Sequence, residues 1–283
     1  MTQLVHSNAE LRLAMTGLAS NICLVPTMGA LHEGHEALIA AGKEFVGKDG
    51  CVVVSDFVNP KQFGQSEDFE KYPRNLEQDQ KIAHKAGAHI LWAPSVEDVY
   101  PGQWPMEIEN DSRFDILEGK SRPGHFAAVI EVVTRLFNIV QPNVAVFGEK
   151  DFQQLVLVSE MAQKRVPPVG ILAVPTKRDF DGLALSSRNV YLSSDQRKIA
   201  HLIPDALKQG VLVASKGADK LEIKNRVIEV IKQTDLIEIE YIEVLSNDFK
   251  ELAPGIVGRI LIAAKLGNTR LIDNMPILLK EKL

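Results

Sequence analysis

The sequence predicts an α/β protein in which a parallel β-sheet fills roughly the first two-thirds of the chain and a smaller α+β domain follows. Short apolar runs alternate with helical patterns up to about residue 175, and this β-α-β-α order favours parallel strands joined by right-handed crossovers. The run 51–57 is almost continuously apolar, as expected for a strand covered on both faces. Because the pattern changes near residue 176, we predict two domains, 1–176 and 177–283.

The individual elements follow from apolar periodicity and from end signals. The expected strands are 21–26, 51–57, 89–93, 144–147 and 169–175, and the expected helices between them are 33–46, 75–86, 125–140 and 151–164. In the second domain, Ser193 and Gln196 fit a capping box, which predicts a helix to about Val213, and a second helix should follow Gly217. Gly267-Asn268 between two β-rich runs predicts a hairpin.

Composition narrows the class of protein. A net charge of −5 argues against broad binding to nucleic acids or acidic membranes. Cys23 and Cys51 lie in apolar runs without a CxxC pattern, which favours buried thiols over a zinc site or a disulfide framework. The chain begins without a signal-peptide pattern and has no apolar run long enough to span a membrane, so the expected location is the cytosol.

The first candidate phosphate site is PTMGALHEGH, residues 26–35, between the first strand and the first helix. Its two glycines allow a ligand to approach the backbone, and a helix N-terminus attracts anions. His32 and His35 are three residues apart, so a helical turn places them on one face, where they could donate to phosphate oxygens. The alternative is two unrelated surface or capping histidines. A GxGxxG motif is absent, and Phe114 replaces the first glycine of a Walker A motif.

A second candidate is FGEKD, residues 147–151, also at a strand-to-helix junction. Gly148 could accept a ligand against the backbone, and Lys150 is a plausible phosphate cation. Asp151 could accept hydrogen bonds from ribose hydroxyls or cap its helix.

Further candidates lie in three loops. DGLALSSRN, residues 181–189, places two hydroxyls beside Arg188 and suits a phosphate clamp, or is an ordinary polar turn. Gln62 and Gln154 are neutral amides suited to a hydroxy acid, although either could be a solvated surface residue. Arg122 could bind a carboxylate or phosphate, or a surface acid.

Eight runs in this order make the chain resemble the pantothenate synthetases, the pantoate–β-alanine ligase family, from end to end. The runs are PTMGALHEGH at 26–35, FVNPKQF at 57–63, YPR at 72–74, SRPGHF at 121–126, LFNIVQP at 136–142, FGEKDFQQL at 147–155, DGLALSSRN at 181–189 and RLIDN at 270–274. The resemblance implies a Rossmann-like domain of the HxGH nucleotidyltransferase type. It also implies an AMP-forming carbon–nitrogen ligase that makes pantothenate through a pantoyl-adenylate, uses ATP with Mg²⁺ and forms a homodimer.

The resemblance also assigns roles to residues of this chain. His35, His32, Lys150 and Arg188 are the expected catalytic residues. The expected ATP contacts are Met28, Gly29, Ala30, Leu31, His32, Glu33, Gly34, His35, Gly148, Glu149, Lys150, Asp151, Lys177, Leu185, Ser186, Ser187 and Arg188. Gln62 and Gln154 are the expected pantoate ligands, and Gln62 also borders the β-alanine site. No Mg²⁺ ligand can be named.

The chain departs from the family pattern at Asp56, where a small or apolar residue is common. Ala128 replaces a frequent glycine and Glu131 a frequent threonine. Two other functions stay open at this point: an HxGH adenylyltransferase acting on another acceptor, and a nucleotide-binding homologue without catalysis.

Overall fold

The computed structural model describes residues 2–17, 21–64, 68–102 and 106–280. The chain separates into two compact units. The first comprises Met1–Glu149 and Gln153–Pro175, and the second comprises Lys150–Phe152 and Thr176–Leu283. The second unit therefore includes a three-residue segment that interrupts the first unit in the sequence.

The first unit is built on a six-stranded sheet in which every pairing is parallel. Its strands are β1 (Gln3–Val5), β2 (Ile22–Thr27), β3 (Cys51–Asp56), β4 (Ile90–Trp92), β5 (Val144–Gly148) and β6 (Gly170–Val174). The order is β1-β4-β3-β2-β5-β6, so the chain changes direction across the sheet at β2. Ligands of open α/β sheets bind at the carboxyl ends of the strands at such a switch point. The segments that follow β2, β3 and β5 therefore share the edge where a ligand is expected.

The helices of this part of the chain are α1 (Asn8–Met15), α2 (Glu33–Val46), α3 (Leu76–Ala86), α4 (Val96–Val99), α5 (Glu118–Ser121), α6 (His125–Val140) and α7 (Phe152–Gln163). The side chain of Asn75 caps α3, and Gly87 ends it in the left-handed conformation. Most of α6 is buried, which fits its nearly continuous apolar sequence. Among the described residues, no helix is long and apolar enough to cross a membrane.

The second unit packs three helices with an antiparallel sheet. Its elements are α8 (Ser194–Ile199), α9 (Leu202–Ala214), α10 (Lys220–Ile231), β7 (Ile237–Ser246), β8 (Val257–Leu266) and β9 (Thr269–Leu278). The strands form a meander in the order β7-β8-β9. Ile203 and Leu207 of α9, Ile223 of α10, and Ile260 of β8 belong to one buried core.

The predicted α/β architecture is confirmed, and a few of its elements differ from the prediction. The bounds of α2 and α6 agree with the prediction. The predicted continuous helix after Ser193 is wrong, because it breaks at Ala200 and His201 into α8 and α9. Pro204 explains the break, since its ring is incompatible with a helical carbonyl four residues earlier. Strand β1 is an addition to the predicted elements, and β9 follows the predicted hairpin turn and ends at Leu278.

Both cysteines are free and buried, as expected. Burial raises the pKa of Cys23 to about 12 and that of Cys51 to about 11. These thiols are therefore protonated at neutral pH, which leaves them with a packing role.

The segment between β6 and α8 contains residues 177–189, which we call the 177–189 loop. An ion pair in the second unit fixes the start of this loop. Arg178 binds the buried Asp273 of β9 through two hydrogen bonds, of 2.6 and 2.9 Å. The same guanidinium donates to the carbonyl of Gly182. Asp273 lies in the RLIDN run, whose function in the sequence was unassigned, and the structure gives it this anchoring role.

We predict that Asp273→Ala lowers the free energy of unfolding by about 3 kcal/mol, because it leaves the guanidinium of Arg178 without its buried partner. Urea denaturation measures the change. Asp195→Ala is the control, since Asp195 pairs with Lys198 on the exposed surface and should cost under about 0.5 kcal/mol. Equal effects of the two substitutions would contradict the anchoring role.

Candidate functional site

A buried carboxylate holds the turn between β2 and α2 in place. Gly29 and Ala30 both have positive φ angles, of 81° and 49°. Asp79 of α3 accepts hydrogen bonds from the N–H groups of Ala30, at 2.9 Å, and Leu31, at 2.6 Å. These charged hydrogen bonds offset the strain of a left-handed alanine.

His32 and His35 form a linked pair at the start of α2. The Nδ1 atom of His32 accepts from the N–H of Gly34, and the Nδ1 atom of His35 accepts from the N–H of His32. The ring centroids are 4.2 Å apart. Because each Nδ1 is an acceptor, a neutral ring carries its proton on Nε2. Both histidines therefore cap α2, and the tautomer that does so carries its proton on Nε2 near the positive end of the helix.

A second carboxyl group lies beneath the same turn. Asp56 ends β3, and a Cβ atom added to Gly29 would overlap its Oδ1 atom. Burial, followed by the charge of Asp79, raises the pKa of Asp56 to about 7. Burial also raises the pKa of Asp79, against the lowering effect of the hydrogen bonds that it accepts.

After β3, a chain of hydrogen bonds orients the side chain of Gln62. The hydroxyl of Tyr100 donates to Oδ1 of Asn59 at 2.9 Å, and Nδ2 of Asn59 donates to Oε1 of Gln62 at 3.1 Å. We call this chain the amide relay. Burial, followed by the charge of Glu131, raises the pKa of Tyr100, so its hydroxyl stays protonated and donates. In the relay, Oε1 of Gln62 accepts the hydrogen bond from Asn59, so the Nε2 group of the same amide can donate to a different acceptor.

The backbone of Gln62 is also fixed. Arg122 donates to its carbonyl oxygen at 3.1 Å, and Nδ1 of His125 lies 3.2 Å from the same atom. Nε2 of His125 lies 3.0 Å from the Arg122 guanidinium. Arg122 therefore supports the Gln62 loop, a role that neither sequence interpretation included.

Glu131 balances two cations beside the relay. Its carboxylate binds Lys61 at 2.9 Å and Arg135 at 2.9 Å, and both cations lie over the Tyr100 ring. This arrangement satisfies a carboxylate that would otherwise be costly to bury.

The two glutamines at the start of α7 have different environments. Gln153 is buried, and its amide bonds to the backbone of Arg113, Ile116 and Glu118, so it has a structural role. Gln154, the predicted ligand, is half-buried. Gly148 ends β5, at the same sheet edge as the β2–α2 turn.

In the second unit, Lys150 and Asp151 belong to the three-residue segment. The carbonyl of Lys150 accepts from Nδ2 of Asn274 at 2.9 Å, and its Nζ atom lies 3.5 Å from Oδ1 of Asp151. Arg259 contacts this anchor twice, since it donates to Asn274 and lies over the ring of Phe152. This hydrogen bond to the carbonyl of Lys150 gives Asn274, the last residue of the RLIDN run, an anchoring role.

The 177–189 loop begins as a short hairpin. The N–H of Leu185 donates to the carbonyl of the exposed Lys177. Asp181 binds Arg197, which lowers its pKa and gives it a structural role. The hydroxyl of Ser186 caps a short 3-10 turn by accepting from the N–H of Arg188, so Ser186 and Ser187 lie at the start of that turn.

Sequence reasoning missed Asp79, Asn59 and Tyr100 as supports of the site. Asp79 lies inside a helix pattern with no local signal, and Tyr100 reaches Asn59 across 41 positions of the chain. Asn59 carried a signal, because it precedes a proline and caps the 3-10 turn 60–62.

Nearly the whole chain is similar to proteins of one known family. The family described as pantoate-beta-alanine ligase matches residues 3–276. A pantothenate synthetase from Nocardioides sp. is 44% identical, over 98% of this chain and 85% of its own length.

Among solved structures, a pantothenate synthetase from Thermus thermophilus superposes with a TM-score of 0.89 at 39% identity, covering 97% of this chain and 99% of that one. A pantoate-beta-alanine ligase from Francisella tularensis superposes with a TM-score of 0.80 at 34% identity, covering 97% of each. On these matches and on its fold, the chain belongs to the pantoate–β-alanine ligase family.

Proposed function

We propose that the chain joins (R)-pantoate to β-alanine in two steps at the expense of ATP. In the first, the pantoate carboxylate attacks the α-phosphorus, the bond to the β-phosphate breaks, and pyrophosphate leaves. In the second, the amine of β-alanine attacks the acyl carbon of pantoyl-adenylate and AMP leaves, giving pantothenate. The Francisella tularensis relative is described as a complex with beta-gamma ATP and β-alanine, which supports this choice of substrates. An adenylyltransferase for another acceptor and a non-catalytic homologue are not favoured, because the family match covers residues 3–276.

One observation carries the proposal: the paired histidines at the N-terminus of α2. Their Nδ1 atoms are occupied by backbone N–H groups, so Nε2–H can donate to the α-phosphate as negative charge develops. The reaction needs no nucleophile from the protein. Positioning of the reactants and electrostatic stabilisation supply the rate.

The remaining roles are proposals that follow the family resemblance. The segments 28–35, 148–151 and 185–188, together with Lys177, contact ATP. Lys150 and Arg188 join the histidines in stabilising phosphate charge. Gln62 and Gln154 bind pantoate, and Gln62 also borders β-alanine. The orientation of Gln62 supports its role, because its Nε2 group can donate to a pantoate oxygen while its Oε1 accepts from Asn59.

We propose that Mg²⁺ arrives with ATP. Within the described residues, no group of three or more His, Cys, Asp or Glu side chains could hold a metal ion. Mg²⁺ usually binds through one or two carboxylates and substrate phosphates, so when bound it would supply positive charge to the phosphates of ATP. A homodimer in the cytosol also remains a prediction from the family resemblance.

The first test measures pyrophosphate release from ATP and Mg²⁺ with pantoate, before and after addition of β-alanine. We expect about one equivalent of pyrophosphate per enzyme without β-alanine, because the adenylate stays bound, and then continuous release of AMP and pantothenate. Mass spectrometry identifies the products. A folded, ATP-binding protein that releases no pyrophosphate with pantoate would refute the proposal.

Lys150→Ala should slow adenylate formation by ~10²-fold or more, equivalent to about 3 kcal/mol of transition-state stabilisation. Single-turnover pyrophosphate release measures this step. Lys164→Ala, which removes an exposed lysine paired with Glu109, is the control and should leave the rate unchanged. A near-normal rate for Lys150→Ala would remove Lys150 from the catalytic role.

Tyr100→Phe should raise KM for pantoate by about fivefold, because a lost hydrogen bond of about 1 kcal/mol releases the amide relay. The phenylalanine ring still lies beneath Lys61 and Arg135, so the surrounding packing is retained. The Kd for ATP serves as the internal control and should not change. An unchanged KM for pantoate would show that the relay does not position Gln62.

A further inference from the structure

Two adjacent residues of β9 are attached to two segments that the proposed function assigns to ATP. Asp273 and Asn274 are 3% and 4% exposed. The side chain of Asn274 bonds to the backbone of Lys150, and that of Asp273 bonds to Arg178 at the start of the 177–189 loop. All of these residues belong to the second unit, so the contacts lie within one compact body.

The contact with Lys150 uses both ends of the Asn274 amide. Its Nδ2 atom donates to the carbonyl of Lys150 at 2.9 Å, and its Oδ1 atom accepts from Arg259 at 3.0 Å. A carbonyl oxygen can only accept and a guanidinium can only donate, so the residue between them must offer both a donor and an acceptor. Asparagine carries both on one planar group, whereas an ionised aspartate of the same shape has no donor.

The contact with the 177–189 loop is made by one guanidinium group. Arg178 donates to both carboxylate oxygens of Asp273, at 2.6 and 2.9 Å, and to the carbonyl of Gly182 at 3.0 Å. It also donates to the backbone carbonyl of Asn274 at 3.3 Å. The loop therefore cannot slide along β9 without breaking charged hydrogen bonds to a buried carboxylate.

This attachment determines where the last part of the loop begins. Arg178 pairs with Ala184 across the short hairpin, and the N–H of Leu185 closes the hairpin by donating to the carbonyl of Lys177. Residues 186–188, the proposed phosphate clamp, follow directly. Their starting point is thus fixed by the side of the hairpin that is bound to β9.

We propose that Asp273 and Asn274 are positioning residues, which hold Lys150 and the 177–189 loop in one fixed arrangement around the phosphates of ATP. The inference rests on the proposed function, which assigns both segments to ATP. Consecutive Cα atoms of a strand are about 3.8 Å apart, so the two attachment points cannot move relative to each other. Neither residue needs to touch the substrate, because the rate depends on how precisely the cationic groups are placed.

The first test measures single-turnover pyrophosphate release and the Kd for ATP with Mg²⁺ in the whole protein. Asn274→Ala should slow release by about tenfold, because the backbone of Lys150 loses its fixed position. The Kd should change much less, since a misplaced cation mainly loses stabilisation of the transition state. Asn274→Asp keeps the acceptor for Arg259 but not the donor, so it should be slow as well. A near-normal rate in either variant would overturn the proposal.

Ile223→Val separates positioning from a loss of stability. Ile223 of α10 lies in the core of the same unit, and its shortening should cost about 1 kcal/mol of unfolding free energy. Pyrophosphate release should stay at the wild-type rate. If this variant were slowed as much as Asn274→Ala, the rate would simply follow stability and the positioning role would be wrong.

A double-mutant cycle tests whether Asn274 acts through Lys150. In the Lys150→Ala background, Asn274→Ala should slow release by less than about twofold, because the side chain that it positions is gone. Independent effects would instead multiply to a loss of roughly 10³-fold, and that result would contradict the proposal.

Arg178→Lys tests the second attachment without leaving Asp273 unpaired. Lysine keeps a positive charge beside the carboxylate but lacks the fork of donors that also reaches Gly182. We expect release to slow by about fivefold, because the hairpin before residues 186–188 is held less firmly. A wild-type rate would show that the loop does not depend on this attachment.

Hydrogen exchange distinguishes failure of this inference from failure of the proposed function, because it needs neither ATP nor pantoate. Asn274→Ala should speed amide exchange in 149–153, and Arg178→Lys should speed it in 177–189, whereas Ile223→Val should change neither segment. A wild type that released no pyrophosphate with pantoate would refute the proposed function. Exchange equal to that of the wild type in both attachment variants would refute the positioning role, whatever reaction the chain performs.

Discussion

The turn after β2, to which we assign ATP, depends on the hydrogen bonds that Asp79 accepts from Ala30 and Leu31. Gly29 and Ala30 adopt left-handed conformations there, and without Asp79 the N–H groups of Ala30 and Leu31 would lack a buried acceptor. The turn sets where α2 begins, and the start of α2 sets where the two imidazoles lie. One carboxylate on a different helix thus determines the geometry of several groups that the sequence places next to each other.

The fold and the proposed chemistry use different atoms of the same histidines. The Nδ1 atoms cap α2, which fixes both rings and selects the tautomer with a proton on Nε2. The same division occurs in Gln62, whose oxygen is bound by Asn59 while its amide group can donate. In each case an internal hydrogen bond decides which end of a side chain is offered to a ligand, and this reduces the ordering that binding must supply.

Features with a local cause could be predicted from the sequence. The bounds of α2 and α6 followed from apolar periodicity and nearby turns, and the candidate segments were found because they follow strands. The pairs that support the site could not be predicted. Asp79 and Ala30 are 49 positions apart, and Arg178 and Asp273 are 95 apart, so no local pattern links them. The break between α8 and α9 lies between these cases, because Pro204 is visible in the sequence while the capping box at Ser193 favours an uninterrupted helix.

The segment 150–152 belongs to the second unit although residues on both sides of it belong to the first. Lys150 is held by Asn274, and Phe152 lies against Arg259 and Phe249, which all come from the far end of the chain. No single cut therefore divides the chain into two self-sufficient fragments. A polypeptide ending at Pro175 would carry Lys150 and Phe152 without their anchors, and the complementary piece would have a hole where the Phe152 ring belongs. During synthesis, the backbone of Lys150 can be fixed only after the β8–β9 hairpin, which carries Asn274, has left the ribosome.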